Sequence, residues 1–423
     1  MTASLHLPSA AAQMIRRFLQ PAFIIFVASN VVNLGNLAFN MVFSRWMGPE
    51  LFGDLALILT IKLGILGFLG AVQMAVSQMT AGDPAGELDS ALARLTSLAL
   101  RGSFLLAPVL GLLIFGLAIE SKLDLGEPGI LLVLLIAFPF ALPMSILRGV
   151  AFGRILAGRV VASGMVEMLV RLIGAIIAWQ SGWGIYGVVF AMALSIISAW
   201  VVLADLVKVR GDKPVMAPMA MGLAAAAFPF AVLQLAQTVL LDGDVFLAKS
   251  FLGNTEAGLI AALSLFQRIQ FFGCFALATV LLPTVVRAAA QNRAVQSAVP
   301  IVGLFAAVTV VVLGAVLVAP DLLVSVMVGP DFVAAAPVLW IACLSAAAFT
   351  LSYLLATFLG ALGDYRGIWF LAVMAPVQIV TMAFVASHGL QDMLFAKLSV
   401  QIVSVVLLMG LTAWRLSRTQ ASR

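Results

Sequence analysis

Several cations stand where water is scarce. Lys62 lies in ILTIKLGILGF, Arg268 in LSLFQRIQFF and Arg171 in EMLVRLIG, each flanked by apolar residues. A guanidinium can clasp a phosphate or carboxylate with two parallel hydrogen bonds, and an ammonium offers a mobile point charge. Charges placed inside a bilayer are costly and mark functional positions by default. Glu167 precedes Arg171 by one helical turn, so the two can pair on one helix face. That pair suits helix adhesion or ion coupling. Lys62 and Arg268 have no acid at helical spacing on their own segments and are expected to face a wet cavity.

The amides form a second pattern. Asn30, Asn33, Asn36 and Asn40 fall in the stretch ASNVVNLGNLAFN. At about 100° per residue they cover about 120° of arc, one polar stripe down a helix. Gln234, Gln237 and Asp244 repeat the positions of Asn30, Asn33 and Asn40 at an offset of 204. Such amides can bond sugar hydroxyls or glue neighbouring helices. The expected substrate-binding set is therefore Lys62, Arg171, Arg268, Asn30, Asn33, Asn40, Gln234 and Gln237. Asp244 and Glu167 are the acids suited to proton or sodium coupling, or to structural pairing. Arg148, Arg154 and Arg159, in RGVAFGRILAGR, suit a cytoplasmic entrance that gathers anionic headgroups, and ordinary membrane orientation accounts for them as well.

Other chemistry is not indicated. No GxxxxGK[ST] loop occurs, His6 and His388 stand apart, and Cys274 and Cys343 lie in apolar runs. No catalytic residue, metal, cofactor, disulfide or nucleic-acid partner is expected.

These side chains need a scaffold that holds them within a membrane. The chain has 423 residues, 63% hydrophobic and 10% charged, with a mean hydropathy of +1.17. Soluble chains carry about 25% charged residues. Apolar runs long enough to cross about 30 Å of hydrocarbon recur along the sequence. With no alternation of period two, these runs read as helices rather than barrel strands. The runs give an all-α integral membrane protein of twelve transmembrane helices, from residues 20–43 to residues 394–414. Of the 23 basic residues, sixteen fall on one side of these spans and four (Arg45, Lys122, Lys249 and Lys397) on the other. The positive-inside rule then places both termini in the cytoplasm.

A faint repeat divides the chain. RWMGPELFGDLALILTI from Arg45 and SFLGNTEAGLIAALSLF from Ser250 match Gly48 with Gly253, Gly53 with Gly258 and Ala56 with Ala261, at an offset of 205. Two six-helix bundles follow, residues 1–213 and 214–423. An even number of spans per half relates them by a pseudo-two-fold axis along the membrane normal.

The stretches FSRWMGPELFGDLALILTI, DVFLAKSFLGNTEAGLIAALSLFQRI and VMVGPDFVAAAPVLWIACLSAAAFTLSYLLATFLGALGDYR resemble the polysaccharide transporter family. These are O-antigen and exopolysaccharide flippases of the multidrug/oligosaccharidyl-lipid/polysaccharide exporter superfamily. The resemblance implies two bundles around a cavity that opens alternately to each face. It implies a polyprenyl-diphosphate-linked oligosaccharide moved from the cytoplasmic to the periplasmic leaflet of a bacterial inner membrane. Membrane lipids, a polysaccharide polymerase and a chain-length regulator are the implied partners. Asp244 matches an often acidic position and Arg45 a frequently basic one. A multidrug and toxin exporter of the same superfamily is the alternative, and a membrane glycosyltransferase would need a larger outer loop than any present.

Overall fold

A computed structural model describes residues 21–81, 83, 86–207, 217–289 and 293–421. The chain is almost entirely helical: α1 Pro21–Ala81, α2 Asp89–Gly116, α3 Ile119–Lys122, α4 Ile130–Leu135, α5 Phe138–Gly153, α6 Ala157–Gln180 and α7 Gly184–Leu203. There follow α8 Ala217–Phe251, α9 Asn254–Ala289, α10 Ala294–Val318, α11 Pro320–Met327, α12 Leu339–Ala361, α13 Arg366–Val385 and α14 Leu390–Ala421. Tight 3₁₀ turns at Pro330–Val338 and Ala386–His388 lead into and out of the last hairpins.

Among the described residues, eleven helical stretches are long and apolar enough to cross a membrane. The first covers 55 residues of α1. At 1.5 Å per residue that is about 80 Å, more than twice the hydrocarbon thickness. It breaks at Gly48, whose φ of 68° and ψ of 177° are open to glycine and strained for other residues, and Pro49 starts the second arm. Counted as two arms, α1 restores the twelve expected spans. The chain is a multi-pass membrane protein.

Two elements depart from the sequence expectation. The fourth span is split between α4 and α5, where Pro139 sits in the first turn of the new helix. The seventh was expected to end near residue 241, yet α8 continues to Phe251 through Asp242, Gly243, Asp244 and Lys249. Charges usually signal a helix end in lipid, but here each charge meets an opposite one on another helix. Lys249 and Lys397, counted as outer-loop cations from the sequence, are buried helical residues.

The chain folds as two compact units. The first takes in the described residues up to Phe39, with Leu69–Ile119 and Gly129–Ala227. The second takes in Asn40–Phe68, Glu120–Pro128 and the described residues from Phe228 onward. The junction expected at residues 213 and 214 lies outside the described residues, and the middle of α1 groups with the second unit.

In the first unit α5 packs on α2 and α7, and α6 pairs with α7. A Schellman turn closes that hairpin: Gly182 takes φ 80°, its N–H donates to Trp179 O, and Trp183 N–H donates to Ala178 O. Glycines set how closely the helices cross. Gly149 and Gly153 of α5 leave no room for a Cβ against Gln73, Val76, Ser77 and Thr80 of α1. Gly35 of α1 likewise lies against Met168 of α6. Leu105, Leu112 and Phe115 point outward from α2, as lipid-facing side chains do.

In the second unit α12 packs on both α9 and α14 and is apolar all round, the pattern of an interior helix. Phe271, Phe349 and Tyr353 stack at its centre.

Candidate functional site

In the first unit a cavity of about 240 Å³ lies among α1, α5 and α6. The close Gly149–Gly153 crossing brings Gln73 and Arg148 to its wall, and the Gly35 crossing brings Asn33. Ser29 completes the polar lining, while Val32 and Phe152 supply apolar wall. Arg148 is held from behind: Nε donates to Ser163 Oγ at 3.0 Å and Nη2 to Glu167 Oε2 at 2.8 Å. Ser163 in turn donates to Ala199 O of α7. Arg171 lies one turn beyond Glu167, buried, with its guanidinium 5.6 Å from the Phe39 ring centroid. One carboxylate therefore stands between two guanidiniums, leaving a net charge of +1.

The other two arginines expected at an entrance serve different ends. Arg154 donates to Asp89 and lies 3.9 Å from Asp83. Asp83 itself accepts the N–H groups of Glu87 and Leu88 at 3.0 and 2.9 Å, so this ion pair fastens the turn between α1 and α2. Arg159 pairs with Asp205 at 2.7 Å on an exposed surface. Of the asparagine stripe, Asn33 lines the cavity; Asn30 is exposed, and Asn36 and Asn40 are half-buried.

The second unit holds a different constellation. Lys397 Nζ donates to Leu241 O and Asp244 Oδ2, each at 2.7 Å, and to Gln267 Oε1. Gln267 Nε2 donates to the same Asp244 oxygen at 2.9 Å. Arg268 Nε donates to Asp242 Oδ1 at 2.8 Å, and Nη2 to Thr60 Oγ1 at 3.0 Å. Lys249 lies 2.6 Å from Asp54, whose other oxygen accepts Gly126 N–H. Three acids and three bases thus neutralise one another away from water.

As its own segment suggested, Arg268 has no acid at helical spacing on its own helix, and its partner Asp242 comes from α8. One expectation needs correction here. Lys62 and Arg268 are 3% and 9% exposed, so protein rather than a wet cavity surrounds them. Asp244 is fully enclosed and salt-bridged. Gln234 and Gln237 are half-buried on α8; Gln234 lies near Gly67 of α1, and Gln237 Oε1 is buried without a hydrogen bond among the described residues.

Two pairs at the offset of 205 meet within the second unit. Thr255 Oγ1 lies 3.2 Å from Glu50 Oε1, a pair separated by 205 residues. A Cβ on Gly53 would lie 3.2 Å from Gly258 N, another pair at the same offset. Arg45, on the same segment, donates to Ser325, Val326 and Met327 carbonyls and so caps the end of α11.

Sequence reasoning missed Gln73, Ser163, Asp54, Asp242 and Lys397. The GxxxG spacing of Gly149 and Gly153 was the available signal for the first, since it marks close helix approach. Apolar residues on both sides of Asp242 and Lys397 were the signal that the helices continue through them.

No family model matches the chain, and no curated protein matches it. Solved structures do. An inward-facing multidrug resistance transporter of the MATE family, in the MOP superfamily, aligns with a TM-score of 0.76 at 14% identity, covering 92% of this chain and 96% of that one. An outward-facing MATE transporter of the same superfamily aligns at 0.61 and 16% identity, covering 95% of both chains. A MATE structure in a bent conformation aligns at 0.63 and 13% identity, covering 96% of both. The likeness shows the fold, twelve transmembrane helices in two bundles.

Proposed function

We propose that the chain is an alternating-access exporter of anionic amphiphiles, with a polyprenyl-diphosphate-linked oligosaccharide as cargo. It carries this cargo from the cytoplasmic to the periplasmic leaflet of a bacterial inner membrane, with both termini in the cytoplasm, and catalyses no covalent step. The observation that carries the reading is the first unit's cavity, where Arg148 stands beside amides and an apolar wall. A guanidinium fits a diphosphate, Asn33 and Gln73 fit hydroxyls, and Val32 and Phe152 fit the first isoprenes. Alternation is supported by solved neighbours in inward-facing and outward-facing forms. Outward movement of an anion gains about 2.3 kcal/mol per charge per 100 mV of inside-negative potential. A polysaccharide polymerase and a chain-length regulator would then act on the delivered cargo.

The second reading is multidrug export, which the multidrug resistance neighbours favour. The two differ in cargo charge. Deletion of the gene with analysis of lipid-linked intermediates separates them. Accumulation of the intermediate on the cytoplasmic face supports the flippase. Unchanged surface glycan with altered drug tolerance supports the multidrug exporter and sinks the first reading.

A further inference from the structure

The geometry points to a charge exchange at the cavity wall: an incoming anion takes Arg148 from Glu167, and Glu167 turns to Arg171. The inference rests on the anionic-cargo reading above and assigns Glu167 and Arg171 as positioning residues for that cargo.

Arg148 has five N–H donors, and Ser163 and Glu167 engage two of them. The ion pair with Glu167 is partly buried, with side-chain exposures of 17% and 13%. In this setting an anion and Glu167 compete for one guanidinium, and like charges brought side by side repel. Glu167 needs a second cation nearby if it is to yield without becoming an isolated buried charge. Arg171 is that cation. It lies one turn away on α6, attracts Glu167 electrostatically, and carries an Nε that makes no hydrogen bond among the described residues. Phe39 stacks on its guanidinium and fixes its place without consuming a donor. Arg171 does not line the cavity, so its influence on the cargo must pass through Glu167.

The test uses the full chain in lipid nanodiscs, with farnesyl diphosphate as probe, farnesol as uncharged control, and calorimetry as the readout. Glu167→Gln removes the competitor and should tighten binding, while Arg148→Gln should abolish it. Arg171→Gln should weaken binding at least about twofold, the lower range of coupling between interacting side chains. In the Glu167→Gln background the same Arg171→Gln change should have no effect. Arg171→Lys should restore binding, since it returns the charge. Monodisperse elution and an unchanged unfolding temperature select the variants compared; if Arg171→Gln does not fold, Arg171→Lys against Arg171→Met supplies the comparison. Equal effects of Arg171→Gln in both backgrounds, or none in either, overturn the exchange while leaving the anionic reading intact. Failure of every variant, Glu167→Gln included, to bind the diphosphate overturns the anionic reading and the exchange with it.

Discussion

Lys397 is 1% exposed, and three oxygens from two other helices surround its Nζ. Breaking a buried pair by removing one partner costs about 3–5 kcal/mol, whereas replacing both partners by apolar groups is often neutral. Lys397→Met should therefore lower the unfolding temperature sharply, and Lys397→Met with Asp244→Leu should recover most of the loss. Thermal unfolding of the detergent-solubilised variants measures both. The loop between α12 and α13 offers a pH-dependent contrast. Asp364 accepts hydrogen bonds from Arg366 Nε and backbone N–H, and these hold its carboxyl below the usual carboxylate range. Its stabilisation is complete above the unfolded value of about 4 and is lost as pH falls through the lower folded value. Asp364→Asn should thus reduce stability at neutral pH and flatten the acid limb of a stability-versus-pH curve.

Among the elements, the glycine crossings decide where the polar groups meet. A side chain at Gly258 would collide with the Pro49 carbonyl, which is backbone and cannot swing aside. Gly258→Leu is expected to cost about 1–3 kcal/mol and to loosen the turn around Gly48. Thermal unfolding and protease sensitivity of that turn report the change. The spans themselves were legible because crossing a bilayer demands a long apolar run, whatever the tertiary contacts. Both arms of α1 and the offset of 205 could be read from local patterns such as RWMGPELFGD and SFLGNTEAGL. The interior of the site was less legible. Asp242, Asp244 and Lys249 look like loop residues in sequence because their partners, Arg268, Lys397 and Asp54, lie far away along the chain. Arg148 was read as an entrance residue since nothing nearby in sequence shows the cavity behind it. Its bonds to Ser163 and Glu167 depend on how α5 and α6 each pack on α1, through Gly149, Gly153 and Gly35, and glycine contacts rather than charges set that packing.

For the whole molecule, the proposed alternation requires that contacts made in one state release in another. Glu50 and Thr255 sit on equivalent turns of the two sequence halves and touch through their side chains. With both changed to cysteine, a short methanethiosulfonate cross-linker should halt export in vesicles, and reductant should restore it. Undiminished export with the link in place would show that this contact persists throughout the cycle. The same contact bears on ancestry. Had the two halves been identical, position 50 would have faced its own duplicate, carboxylate against carboxylate or hydroxyl against hydroxyl. Glycine opposite glycine, as at residues 53 and 258, is tolerable in such an ancestor. A glutamate facing a threonine is open only to halves that have already drifted apart. The Gly53–Gly258 crossing is thus the kind of contact a fused duplicate could inherit, and the Glu50–Thr255 pair the kind it had to acquire.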